Sequence, residues 1–423
     1  MSVETADGRI TAVRTDTRHP AGRRGAPRPD PPGLANAHSH AFHRALRGSV
    51  QVGSGTFWTW RDVMYGVADR LTPDSYYALA RAAYAEMALA GITCVGEFHY
   101  LHHAPGGTRY DDPNAMGRAL LAAAADAGIR ITLLDTAYLS AGFGDPPNQH
   151  QLRFSDGTAD AWAERADALK GAEHARIGAA VHSVRAVPAG ELATVADWAR
   201  RRQAPCTSTS PSRPRRTTPA GRPTAAPHPT ARRPRGAGPA HHRRARHPPH
   251  RRGHRAARRQ HHRRVHVPDH RTRPRRRHRP GRGAPGTGQP ALLGSDSHAV
   301  IDLLEEARAM ELNERLRTRT RGHWTAAALL RAATADGHAA LGWDDAGTLA
   351  PGALADLTTI RLDSVRTAGP VPRLGAETAV FAATAADVRH TVVGGRHIVR
   401  DRTHTRVPDV PTALADAIAA VRG

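Results

Sequence analysis

His38 and His40 are separated by one residue in the segment Ala37-His38-Ser39-His40. On an extended strand alternate residues point to the same side. Two imidazoles so placed can bind one cation through ring nitrogens at about 2.0–2.1 Å. A cation held this way makes bound water nucleophilic near neutral pH, which is the chemistry of hydrolysis. A bare His-x-His pair arises often by chance. Here the words Pro32-Gly33-Leu34-Ala35-Asn36 place it at the end of a strand that runs into a loop.

The elements needed to hold such a pair recur along the chain. Residues 6–15 read as a hairpin strand around Asp7-Gly8. Residues 73–90 carry apolar side chains at helical spacing and stop before Gly91, and 91–98 read as a buried strand. A helix over 112–127, a strand over 129–135, a helix over 157–172, a strand and loop over 176–187 and a helix over 189–202 follow. This strand, loop, helix rhythm argues for parallel β/α units. In a (β/α)8 barrel the site is built at the strand C-termini, and His38, His40, His99, Tyr100, His182 and Arg185 fall at such ends. His102 and His103 read as loop residues. Beyond residue 290 the expected elements are helices over 299–312, 326–340 and 409–421, and strands over 347–363 and 389–400.

The net charge is +23 over 423 residues. Residues 206–290 hold 24 Arg and 11 His against one acid, Asp269, while the rest of the chain balances at 37 bases and 37 acids. The whole imbalance therefore sits in one segment. That segment lacks apolar periodicity, so burial cannot offset its ordering entropy. An Arg-rich nucleic-acid-binding tail is one reading of it. Lys170 is the single lysine, a bias that also follows from GC-rich coding. Two cysteines, Cys94 and Cys206, give no disulfide framework. No apolar run is long enough to span a membrane, and the N-terminus lacks the pattern of a secretory signal, so a cytoplasmic location is expected.

Five stretches carry a family resemblance: PGLANAHSHAFHRALRG (32–48), FWTWRDVMYG (57–66), GITCVGEFHYLHH (91–103), VHSVRAV (181–187) and GSDSHAVIDLLEEARAMELNERLR (294–317). Together they resemble the formimidoylglutamate deiminases of the amidohydrolase superfamily. The resemblance covers about residues 30–204 and 291–420. It implies an α/β fold, a (β/α)8 TIM-like barrel with a small composite β domain from both chain ends. The corresponding division is 1–31 with 345–402 as the β domain, 32–205 and 291–344 as parts of the barrel, 206–290 irregular, and 403–423 a C-terminal helix.

The resemblance also implies one divalent metal, zinc above all, held by His38, His40 and Asp296, with Asp296 taking a proton from the attacking water. His43, Arg61, Tyr100, His182 and Arg185 would contact the substrate, a small dicarboxylate whose acid groups suit arginine forks. The enzymes it resembles hydrolyse N-formimidoyl-L-glutamate to N-formyl-L-glutamate and ammonia in histidine degradation, and relatives are commonly homodimers. Read locally, Asp296 could instead cap the 299–312 helix, Arg61 could form a surface ion pair, and His182 could be a satisfied core histidine. A related deaminase acting on guanine or a similar ring is the alternative enzyme.

A third His ligand, a catalytic Glu and a catalytic His belong to patterns like LHVHLSE and VHATHL, and neither pattern occurs in this chain. APCTSTSPS (204–212) stands at the expected place of the first. Back-translated and read one base earlier, residues 206–212 permit LHVHLSE. Residues 241–250, read one base later, permit TTAVHATHLT, and 264–280 permit VCMCPTTERDLADGIGP. Three family-like readings in the expected order predict that residues 206–285 are translated out of frame, through a sequencing error or a lesion in the gene. The chain as written is then expected to be impaired, with non-specific nucleic-acid binding through this segment and no selected nucleic-acid partner. Residues 16–31 show a weaker version of the same disturbance.

Overall fold

The computed structural model describes residues 2–14, 30–49, 57–208, 290–297 and 299–422. An N-terminal hairpin of β1 (Ser2–Ala6) and β2 (Arg9–Arg14) is followed by β3 (Leu34–Ser39), a short 3-10 helix (Ala41–Leu46), α1 (Phe57–Ala68) and α2 (Pro73–Leu89). Then β4 (Ile92–His99), α3 (Ala115–Ala127), β5 (Arg130–Ala137), α4 (Ala159–Asp167), β6 (Ala175–Val181), α5 (Leu192–Arg201) and β7 (Cys206–Ser208) alternate. The later part holds α6 (Leu303–Thr318), α7 (Ala326–Ala333), α8 (Ala335–Ala340), β8 (Leu357–Ile360), α9 (Gly375–Phe381), β9 (Val388–Val393), β10 (Arg396–Arg400), β11 (Thr403–His404) and α10 (Val410–Arg422). Among the described residues no helix is long and apolar enough to cross a membrane.

Strands β3 to β7 form one sheet in sequence order, every neighbouring pair parallel. β3, β4 and β5 are buried along their whole length, as expected when helices cover one face of a parallel sheet and side chains from other strands fill the other. Local signals start the helices between them. Thr72 accepts from Ser75 N, Ser75 reciprocates, and Pro73 opens α2. Thr158 caps α4, and Gly128, at φ 78°, ends α3.

On its other edge β3 meets the segment 291–297. Ala37 N donates to Leu293 O at 2.8 Å, Asp296 N donates to His38 O at 3.0 Å, and Ser39 pairs in parallel with Asp296. Asn36 and Ser295 exchange side-chain and backbone hydrogen bonds of 2.7 and 3.0 Å across this seam. This is the place of a closing strand, and the curled parallel sheet is that of a TIM-like α/β barrel. Gly294 makes the approach possible: a Cβ there would lie 2.8 Å from His38 Cβ and 2.9 Å from His38 N and O. Gly294→Ala is therefore expected to cost about 1–3 kcal/mol and to move Asp296 off β3. Urea unfolding of the variant beside the wild type checks this, and an unchanged midpoint would show that the seam can give way.

A second sheet runs β11-β10-β9-β8, all antiparallel, apart from the β1–β2 hairpin. Backbone bonds from Ile10 N to Ala353 O and from Ala355 N to Gly8 O, both 2.8 Å, join the hairpin to the chain just ahead of β8.

Several expectations change in detail. The 347–363 strand shrinks to Leu357–Ile360. The 326–340 helix breaks at Thr334, whose hydroxyl donates back to Leu330 O at 2.7 Å. The 157–172 helix ends at Asp167 because Ala172 and Ala175 exchange backbone bonds in the turn before β6. Residues 403–404 belong to the sheet before the final helix begins. Cys206–Ser208 is a strand rather than irregular chain, because the β6 edge supplies backbone partners whatever the side chains. The rest of 206–285 lies outside the described residues, as does most of 16–31.

His404 ties the second sheet to the barrel. Its Nε2 meets Ala127 O at 3.1 Å, and its Nδ1 accepts from Arg406 N and Val407 N at 3.1 and 3.0 Å. A proton on Nδ1 would face two N–H donors. Burial first of all lowers this imidazole to about 4. Between the unfolded value near 6.5 and about 4 the unfolded chain binds the extra proton, so stability falls as pH falls through that window. His404→Gln is expected to flatten the slope of unfolding free energy against pH by about 1.4 kcal/mol per unit there, measured by urea unfolding. An identical slope would show that His404 binds its proton equally in the folded and unfolded states.

Candidate functional site

β3 delivers His38 at its penultimate position and His40 just past its end. The two rings meet edge to face, with centroids 4.9 Å apart. His40 Nδ1 lies 3.0 Å from the Phe98 carbonyl. A carbonyl only accepts, so Nδ1 carries the proton and Nε2 keeps its lone pair. Asp296 Oδ1 stands 3.6 Å from His38 Nε2 and 3.4 Å from His40 Nε2. The carboxylate is aimed by a left-handed backbone, φ 44°, pinned by its amide on His38 O. Asp296 is not the cap of the following helix. That work falls to Asp302, which accepts from Leu304 N and Glu305 N.

Burial lowers the His38 imidazole despite the opposing pull of Asp296, and lowers His40 further, with His43 and His38 adding to the effect. Both rings are therefore neutral donors at neutral pH. Two ligands about 2.0–2.1 Å from a tetrahedral cation stand about 3.4 Å apart. The two imidazole–carboxylate separations match that spacing, and the donor set of two nitrogens and one oxygen fits a divalent cation such as zinc. Three ligand groups are present among the described residues.

Of the expected substrate residues, His43, Tyr100 and His182 gather beside the His40 ring. His43 Nε2 lies 3.1 Å from Tyr100 Oη, and the Tyr100 ring is 5.3 Å from His182. Burial first, then neighbouring charges, takes His43 and His182 down to about 3. Arg185 is exposed and close enough to His182 to depress it. Arg61 lies with its guanidinium carbon 5.6 Å from the centre of the Tyr65 ring.

Several wall residues escaped the sequence reading. Phe98 packs 4.8 Å from His38 and 5.3 Å from His40. Tyr138 packs 4.4 Å from His182 and accepts from Gln151 Nε2 at 2.7 Å. Trp60 meets His43 at 5.4 Å. Tyr138 could have been found, since it follows the C-terminal end of β5 directly. Phe98 and Trp60 look like ordinary core residues in sequence.

His102 and His103 do lie in a loop, and both are buried. With His99 and Asp135 in reach, His102 completes a second cluster of metal-ligand types. Arg165 already fills it: Nη2 donates to Asp135 Oδ1 at 2.8 Å, Nη1 to Asp135 Oδ2 at 2.9 Å, and Nε to Asp156 Oδ1 at 2.9 Å. Trp162 Nε1 adds a bond to Asp135 Oδ1 at 2.7 Å. Burial pushes the Asp135 carboxyl up, but the Arg165 charge outweighs it and holds the group at about 2. This is a charge-compensated network in which a cation would meet a guanidinium.

The amidohydrolase family model matches residues 31–208 and 248–398. The chain is 40% identical over 200 residues to formimidoylglutamate deiminase of Pseudomonas aeruginosa, covering 45% of this chain and 43% of that protein. It is 36% identical over 76 residues to 8-oxoguanine deaminase of the same organism, 18% of this chain and 16% of that protein. The chain thus spans less than half the length of either relative. An amidohydrolase from Brucella melitensis shares the fold with a TM-score of 0.74 at 23% identity, over 100% of this chain and 96% of that one. Atrazine chlorohydrolase TrzN from Arthrobacter aurescens TC1, complexed with zinc, gives 0.71 at 18% identity over 99% and 94%. By the extent of the family match, and with its imidazoles and carboxylate gathered at one end of the parallel sheet, the chain belongs to the amidohydrolase family.

Proposed function

We propose that the chain descends from a metal-dependent formimidoylglutamate deiminase, which hydrolyses N-formimidoyl-L-glutamate to N-formyl-L-glutamate and ammonia in histidine degradation. The observation that carries this reading is the convergence of His38 and His40 on Asp296 Oδ1. These three groups would hold a divalent cation, which when bound would supply Lewis acidity toward water near neutral pH. The Phe98 carbonyl keeps the His40 proton on Nδ1 and so keeps Nε2 a donor. Asp296 takes a proton from the attacking water at Oδ2, its Oδ1 being turned to the imidazoles. Arg61 and Arg185 grip the two substrate carboxylates by paired N–H donors. His43, Tyr100 and His182 fix the chain between them, and the rings of Phe98 and Tyr138 keep solvent other than the attacking water from the amidine carbon. The 40% identity to the Pseudomonas aeruginosa enzyme supports this substrate.

We also infer that residues 206–285 are out of frame, so that the chain as written lacks the third imidazole and the carboxyl that protonates the departing nitrogen. Sequencing the coding DNA over codons 200–295 tests that part: an unbroken frame encoding the written residues would refute a sequencing error and leave a defective product. The aromatic walls and the partial match to 8-oxoguanine deaminase favour a second reading, a ring-bearing substrate. Ammonia release from N-formimidoyl-L-glutamate, guanine and cytosine separates the two. A frame-restored version is expected to release ammonia from the first and the written chain to be near background. Release from guanine alone by the restored version would reject the dicarboxylate substrate.

A further inference from the structure

Glu97 is fully buried on β4 and faces the residues that flank His40. Its Oε2 accepts from Ser39 Oγ at 2.5 Å, and its Oε1 accepts from Ala41 N at 2.6 Å. Ser39 sits between the two imidazole-bearing residues. Ala41 opens the 3-10 helix that carries His43, so its amide would otherwise be an orphan donor at a helix start. The next residue on the same strand, Phe98, holds His40 Nδ1 through its carbonyl. Two successive residues of β4 therefore grip the chain on both sides of His40, one by side chain and one by backbone. Among the described residues, no ion pair to Glu97 is present to explain why an acidic side chain is buried there, and burial raises its carboxyl to about 7.

We propose that Glu97 is a positioning residue for the metal centre: it clamps Ser39 and Ala41 so that His38 and His40 present their Nε2 atoms to one cation. The inference rests on the metal-binding reading of His38, His40 and Asp296. Glu97 acts through Ser39 and Ala41 and does not itself ligate. Losing the clamp frees the strand end and the helix start together, which disperses the ligands without removing any of them.

The test is Zn2+ affinity of the full-length chain, by competition with a chromophoric chelator, with unfolding of the metal-free protein followed beside it. The tightest equivalent is the one to read, because the histidines of 206–290 are further candidate ligands. Glu97→Ala is expected to weaken that equivalent about 10–100-fold, the range for loss of a group that orients a ligand. Glu97→Gln is expected to stay near the wild type. Its amide oxygen still accepts from Ala41 N, and its amide nitrogen can donate to Ser39 Oγ. Ser39→Ala, which removes half of the clamp, is expected to fall between them and serves if Glu97→Ala does not fold. Wild-type affinity in both Glu97→Ala and Ser39→Ala overturns the proposal, and so does equal weakening by Glu97→Ala and Glu97→Gln. Because the written chain lacks a third imidazole, its tightest equivalent is itself expected to be weak; a wild-type chain whose tightest equivalent is no tighter than that of His38→Ala overturns the metal reading itself, a different outcome from either.

Discussion

Replacing His40 with alanine is expected to lower the affinity of the full-length chain for Zn2+ by more than about 100-fold, beyond the range seen when only an orienting group is lost. The reason is geometric. His40 Nε2 and His38 Nε2 both address Asp296 Oδ1, at 3.4 and 3.6 Å. Removing one imidazole leaves a nitrogen and a carboxylate, too few donors to hold a tetrahedral cation against water. Asp296→Ala should have a comparable effect, since it removes the charge as well as the oxygen. His397→Ala, an exposed histidine of the second sheet, is the control and should change nothing. The loss must fall on the tightest equivalent, because the 11 histidines of 206–290 are further candidate ligands. If His40→Ala and His397→Ala titrate alike, the three residues are not a metal centre and the proposed hydrolysis goes with them.

Arg165→Leu is expected to destabilise the chain by about 3–5 kcal/mol, the cost of stranding buried charge. Arg165 is the counter-charge for two carboxylates at once, Asp135 and Asp156, both nearly inaccessible. It also bonds Asn114 Oδ1 at 3.0 Å. With the guanidinium gone, Asp135 keeps Trp162 as a donor and Asp156 keeps His103, at 3.1 Å. Neither replaces a guanidinium shared between the two carboxylates. Since domains are commonly stable by only about 5–15 kcal/mol, a large drop in thermal midpoint follows, and circular dichroism on heating would show it. The double variant Arg165→Leu with Asp135→Asn should recover part of the loss, because one stranded charge is removed. Recovery absent, or a midpoint unmoved by Arg165→Leu alone, would mean that solvent reaches these carboxylates. The same network sets a guanidinium against the carboxylate of the second group of histidines.

Much of the barrel was legible because its signals are local. β4 and β5 are short apolar runs between turn residues, and α2 has its cap and proline at its start and Gly91 just past its end. The pairing of His38 with His40 was legible for the same reason, since alternation along a strand is a property of the backbone. Helix ends were less so. Asp167 and Thr334 end helices through contacts with the next element or with their own carbonyls, which periodicity does not register.

The chain by itself determined which groups could do chemistry and that they sit at strand ends, because strand direction and residue order fix that. Only the tertiary structure decided that Asp296 faces the imidazoles while Asp302 caps the helix, since both aspartates precede the same apolar run. It also decided that His102 and His103 serve a buried arginine–carboxylate network, that Phe98 packs on His38 and His40 and Tyr138 on His182, and that Glu97 grips the strand end between His38 and His40. Each of these depends on residues tens to hundreds of positions apart meeting in a low-dielectric interior. There, the nearest partner sets the charge state, and sequence spacing carries no record of who that partner is.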